Sequence, residues 1–303
     1  MKARPLDGFA SFLTLALCSV WGFNQVVVKL ALPEVGPSAQ TGIRSAIGVV
    51  CVTAYALLTK RRIFALDGTE AAGALAGALF TAEFIALYES LRFTTAARAT
   101  VFIYATPFFV ALGAAFLLKD ERLRPIQWVG LAFAFVGLAC GLAGRAPGGE
   151  AIGDALALLA AAFWGATIIL IKATPLRRAD PVKVLLYQIG FATLAAPFAA
   201  YAFGEPAPSR FSAITVASLL WQGVAVVGVS YTLWFWALNR YAAAQLSAFT
   251  FITPLVGVFA GWLVFGETIT GGFAVAIALV VAGLALVNWP RRAAYPAARR
   301  GPG

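Results

Sequence analysis

Glu83 lies well inside the apolar stretch Ala71–Leu91, three residues after Phe80 and one before Phe84. Phe80, Phe84 and Tyr88 recur every four residues, which puts all three on one face of a helix. A carboxylate surrounded by apolar sequence is costly and normally faces a cavity or a partner. It can therefore bind a substrate amine or relay a proton, or it can pair structurally with Arg44 or Arg98. Arg44 is the second intramembrane charge, about two turns into the stretch Ser38–Thr59. It can take a substrate carboxylate or bond backbone carbonyls at a kinked helix. At an offset of 144 its counterpart is Gln188. Lys29 and Lys172 sit near stretch ends, where they can snorkel to the interface or reach a solute.

Aromatic residues supply a second signal. Trp21, Tyr104, Trp164, Tyr231 and Trp234 join Phe80, Phe84 and Tyr88, with Asn24, Gln188, Gln222 and Thr250 as polar candidates. Interfacial belts and core packing account for some such residues; an aromatic-walled cavity for a partly apolar solute is the other reading. Hydrolytic and phosphotransfer chemistry is not visible. The chain has no histidine, no HExxH, no GxSG-type turn, no paired intramembrane aspartates and no Walker loop. The cysteines Cys18, Cys51 and Cys140 lie in apolar stretches without metal-ligand spacing. The reading is of a non-enzyme that needs neither metal nor cofactor.

The elements that carry these residues are apolar stretches of membrane-spanning length. Ten are read: Gly8–Leu30, Ser38–Thr59, Ala71–Leu91, Thr95–Leu118, Pro125–Gly144, Ile152–Ala173, Pro181–Phe203, Thr215–Leu238, Ala243–Phe265 and Gly271–Trp289. Alternating polarity is missing, so helices rather than a barrel satisfy the backbone in lipid. Composition agrees: hydrophobic residues make up 61% of 303 residues and mean hydropathy is +0.85, against about 45–50% in soluble domains. The net charge of +10 could suggest nucleic acid. The basic residues lie mostly in short loops between spans, where they set topology, so lipid and a small-molecule solute are the expected partners.

The chain repeats itself. Trp21-Gly22 with Lys29 returns as Trp164-Gly165 with Lys172, at an offset of 143. Tyr104-Ala105-Thr106-Pro107 returns as Phe251-Ile252-Thr253-Pro254, at an offset of 147. The repeats are 1–146 and 147–290, followed by a basic tail, 291–303. Five spans per copy force the second copy into the bilayer inverted, an arrangement used by secondary transporters with a midplane site. With the N-terminus inside, seventeen basic residues fall on the cytoplasmic side and four outside. Both termini are therefore expected in the cytoplasm. Pro107 and Pro254 lie at matching positions inside spans four and nine and predict kinks, either plain bends of membrane helices or, as their symmetric placement favours, gates. Gly73/Gly77, Gly137/Gly141 and Gly257/Gly261 predict faces of close helix approach, within the monomer or in a dimer.

Taken together, the paired Trp-Gly, Arg44 in span two and the Thr-Pro of spans four and nine resemble the drug/metabolite transporter superfamily, in its EamA-like branch. So does the acidic turn after each Thr-Pro span, Leu118-Lys119-Asp120-Glu121 and Phe265-Gly266-Glu267. The resemblance implies an all-α integral membrane protein whose ten helices form a basket around a central cavity, with spans five and ten peripheral. It implies export of amino acids or other metabolites across the inner (plasma) membrane by alternating access, possible as a monomer. Similarity to aromatic-amino-acid exporters carries Phe80, Phe84, Tyr104 and Trp164 over as cavity walls. A multidrug or quaternary-cation exporter is the alternative within the superfamily.

Overall fold

A computed structural model describes residues 7–117, 125–143, 150–208, 210–238, 240–241, 246 and 249–287. Helix starts follow local chemistry. Asp7 caps α1 (Gly8–Ala31), accepting from the Ala10 N–H at 2.8 Å. Proline opens α2 (Pro37–Leu58) and α8 (Pro181–Ala202), and Asp180 caps the latter. Thr95 caps α4 (Ala96–Ile103) and Ser212 caps α9 (Ala213–Leu220). The remaining helices are α3 (Glu70–Ser90), α5 (Thr106–Leu117), α6 (Pro125–Ala143), α7 (Glu150–Ala173), α10 (Tyr231–Leu238), α11 (Ile252–Phe265) and α12 (Gly271–Val287). Seven helical segments are long and apolar enough to cross a membrane, and three shorter apolar helices, Pro125–Gly137, Ile252–Phe265 and Gly271–Leu286, complete ten. Their outer faces carry exposed Phe12, Leu58, Phe198 and Phe259, as lipid-facing surfaces do.

Three of the expected spans are not single α-helices. Span four is two helices, α4 and α5, interrupted at Tyr104-Ala105. Span eight runs α9, a π-wound stretch Trp221–Ser230, then α10. In span nine a 3-10 turn, Phe249–Phe251, precedes α11. In span four the expected kink takes the form of a helix break, with Pro107 in the first turn of the second segment; Pro254 lies in the first turn of α11. That position suits proline, whose missing N–H would be unpaired there anyway. In span four the substitution is explicit. Pro107 cannot donate to the Ile103 carbonyl four residues back, and the Thr106 hydroxyl donates to it instead at 2.7 Å.

The heaviest packing runs between the repeats rather than within them. α6 packs on α12, α3 on α7 and α8, α2 on α8 and the π-wound stretch, α1 on α11, and α4 on α11. Glycines permit this closeness. A Cβ on Gly22 would stand 2.5 Å from the Thr253 carbonyl oxygen and 2.8 Å from the Val256 Cβ; one on Gly165 would stand 2.8 Å from the Phe109 Cβ. Val256 and Phe109 are repeat mates at offset 147, so the Trp-Gly motif seats spans one and six against spans nine and four. Gly73 and Gly77 receive Tyr187 and Phe191, Gly137 faces Ala276, and Gly257 faces Thr100. These small-residue faces are used inside the molecule.

The same pairing recurs at the ends of α2 and α8. The Glu205 carboxylate accepts from the N–H groups of Ser38 (2.9 Å) and Ala39 (3.3 Å), at the start of α2. Its repeat mate Arg61 donates to Asp180 at 2.8–2.9 Å, at the start of α8.

Candidate functional site

Arg44 is fully buried on α2. Its guanidinium carbon lies 3.9 Å above the centre of the Phe84 ring, and Nη1 donates to the Tyr88 hydroxyl at 2.5 Å. Nε and Nη2 have no hydrogen-bond partner. Phe84 and Tyr88 come from one face of α3, as their spacing predicts, and Phe80 continues the stripe with ring centroids 4.6 Å from Phe84. Glu83 precedes Phe84 on the same helix, 5% exposed. Among the described residues it makes no hydrogen bond and no ion pair. Neither structural pairing open to it in the sequence is built: Arg98 is taken by Asp154, and Arg44 bonds Tyr88.

The second repeat supplies the facing side. Tyr231, at the start of α10, lies within electrostatic reach of Arg44, Glu83 and Tyr88. The stretch before it, Trp221–Ser230, is π-wound, with hydrogen bonds that reach one residue further than in an α-helix. Trp21 on α1 donates through Nε1 to the Ser230 hydroxyl at 2.8 Å, with ring centroids 6.3 Å from Tyr231 and 5.3 Å from Trp234. Tyr104 occupies the break between α4 and α5 and packs edge-on to Trp164, 6.0 Å away. Tyr104, Trp164, Tyr231, Trp21 and Trp234 all keep partial exposure. Asn24 is buried with its Oδ1 unpaired. Gln222 is held by Gln40 at 2.9 Å. Gln188 is half-buried on α8 and makes no hydrogen bond or ring contact among the described residues.

Two polar assemblies were not legible in the sequence. Asp154 of α7 accepts from the Arg98 guanidinium and from the Thr94 hydroxyl at 3.1 Å. Glu267 accepts from Ala96 N (2.8 Å) and Ala97 N (2.9 Å) at the start of α4, and from Lys29 Nζ at 3.2 Å. Lys29 also donates to the Thr94 carbonyl at 3.1 Å. Lys29 is therefore committed to a helix cap rather than snorkelling alone. The repeated acidic turn was the available signal: Glu267 belongs to it. Its first copy, 118–121, lies outside the described residues, as do the 146/147 boundary and the basic tail. No group of three or more metal-ligating side chains occurs among the described residues.

The model of the EamA-like transporter family matches residues 8–142 and again 151–289. The chain is 21% identical over 281 residues to the uncharacterized transporter YoaV of Bacillus subtilis (strain 168), covering 89% of this chain and 93% of that one. It is 25% identical over 284 residues to a probable amino-acid metabolite efflux pump of Salmonella typhimurium, covering 90% and 92%. A protein of the same name in Escherichia coli (strain K12) is 25% identical over 282 residues, covering 90% and 92%. A protein crystal structure aligns with a TM-score of 0.65 at 20% identity, over 93% of this chain and 98% of that one.

Proposed function

The chain belongs to the EamA-like transporter family, and on that premise we propose that it is a secondary transporter of the inner (plasma) membrane that exports amino acids and related metabolites by alternating access. The observation that carries this is the pair of buried, incompletely bonded charges, Arg44 and Glu83, set in an aromatic shell drawn from both repeats. Large aromatics deep in a bundle that still keep accessible surface suit a cavity between the repeats. The efflux-pump names of the relatives point the same way. The two interlocked repeats rock about this site, and the break at Pro107 and the matching Pro254 are where spans four and nine bend. Both termini face the cytoplasm, by the distribution of basic residues.

A permanent-cation exporter fits less well. Glu83 and the aromatics could hold a cation, but the Arg44 guanidinium beside them repels one.

The test is counterflow of labelled amino acids into liposomes containing the purified protein, with and without a pH gradient. Saturable exchange of phenylalanine, tryptophan, leucine or threonine supports the reading, and its pH response reports coupling. Glu83→Gln should abolish that response if Glu83 carries the proton. Folded protein that exchanges no amino acid but does exchange organic cations refutes the reading.

A further inference from the structure

We infer that Arg44 and Glu83 form a split-charge receptor, selecting solutes that carry a carboxylate and an ammonium group together. The inference rests on the transport reading above and specifies what its site recognises.

The geometry at Arg44 leaves one edge of the guanidinium buried and without a hydrogen-bond partner, with the Tyr231 side chain of the second repeat close by. The guanidinium face is covered by Phe84 at 3.9 Å, and Nη1 is occupied by the Tyr88 hydroxyl. The two nitrogens without a partner are Nε and Nη2. Their N–H bonds run parallel along one side of the guanidinium, the pair that matches both oxygens of a carboxylate. A structural arginine buried at this depth would have these donors satisfied by carbonyls or by an acid, as Arg98 is by Asp154.

Glu83 supplies the second half. It is buried one residue from Phe84, within electrostatic reach of Arg44, and makes no ion pair with it among the described residues. Direct pairing would be the least costly arrangement for two buried opposite charges. The fold forgoes it by holding the guanidinium against Phe84 and Tyr88. A solute with only an anionic group would gain nothing from the buried Glu83 carboxyl and would oppose its ionisation; one with only a cationic group would be repelled at Arg44. A zwitterion neutralises both. Its side chain then lies against the aromatic shell of Tyr231, Tyr104 and Trp164.

The experiment compares phenylalanine with two analogues that each lack one charged group, 2-phenylethylamine and 3-phenylpropionate. Two readouts are taken on the full-length protein: competition with labelled phenylalanine in counterflow, and ligand-dependent thermal stabilisation in detergent. Phenylalanine should outcompete and out-stabilise each analogue by at least about tenfold in concentration. Glu83→Gln should raise the standing of phenylpropionate relative to phenylalanine, and Arg44→Lys should weaken phenylalanine while sparing phenylethylamine. If an Arg44 variant does not fold, the wild-type panel and Glu83→Gln still decide. Analogues that bind as well as phenylalanine to the wild type, or an unchanged ranking in Glu83→Gln, overturn the receptor. Stabilisation by the zwitterion alone, without exchange, keeps the receptor and overturns the transport reading. Neither exchange nor stabilisation by phenylalanine overturns both.

Discussion

Single residues in this chain act through what they leave open or fill. Gly22 fills nothing, and its Cβ-free surface is what admits the Thr253 carbonyl. Gly22→Ala puts a methyl group 2.5 Å from that oxygen and should cost about 1–3 kcal/mol through overpacking. A lowered melting temperature in detergent would show it; an unchanged one would mean that α1 and α11 separate easily. Glu267 acts oppositely, closing the start of α4 with both carboxylate oxygens. Glu267→Gln keeps one acceptor oxygen, loses the charge partner of Lys29 and should destabilise by about 1–3 kcal/mol. Suppression by a simultaneous Lys29→Met would identify the stranded lysine charge as part of that cost. Outside the spans, the Ser212 N–H and the Thr215 hydroxyl hold the Glu34 carboxyl below the usual carboxylate range. A depressed acid stabilises the fold above its unfolded pKa, and that contribution is lost as pH falls through the folded value. The stability gap between wild type and Glu34→Gln should therefore be flat at neutral pH and begin to close below about pH 4.3. A gap independent of pH would exclude the charge as its source.

At the scale of elements, the sequence marked most spans to within a few residues, because twenty apolar residues in lipid have few alternatives to a helix. It marked the two prolines but not what they do, since a kink and a break look alike without the partner carbonyl. The Thr106 hydroxyl on the Ile103 carbonyl distinguishes them. Pro107→Ala restores an N–H that competes for that carbonyl and should fuse α4 and α5. Transport rate should fall while the melting temperature holds or rises; a lower melting temperature with a normal rate would show the break to be structural only. The π-wound stretch Trp221–Ser230 was invisible, because its apolar sequence reads as an ordinary helix; Gly223 packs against Ile47 and the Arg44 carbonyl there, and Gly228 against Cys51. For the site, the stripe Phe80, Phe84, Tyr88 was readable from its period of four. That Glu83 would lack an ion partner was not, because it depends on Asp154 taking Arg98 from fifty-six residues away in sequence.

Across the whole molecule, the repeat was legible from Trp-Gly and Thr-Pro, but its interlocking was not: similarity between halves says nothing of what they touch. Because α1, α2, α3, α4 and α6 each pack mainly on helices of the second repeat, neither repeat has a complete core. Residues 1–146 and 147–303 expressed separately should be degraded, and co-expressed they should restore whatever transport the intact chain shows. Stable accumulation of either piece alone would contradict this. The interlocking also imposes a waiting time. At about 5–20 residues per second, the first five spans stand in the bilayer for roughly 10–30 s before their neighbours have been synthesised. During that interval α2 must keep a guanidinium in lipid without α8 beside it. The Tyr88 hydroxyl and the Phe84 ring come from the very next helix to emerge, so Arg44 acquires its first ligands while most of the chain is still on the ribosome.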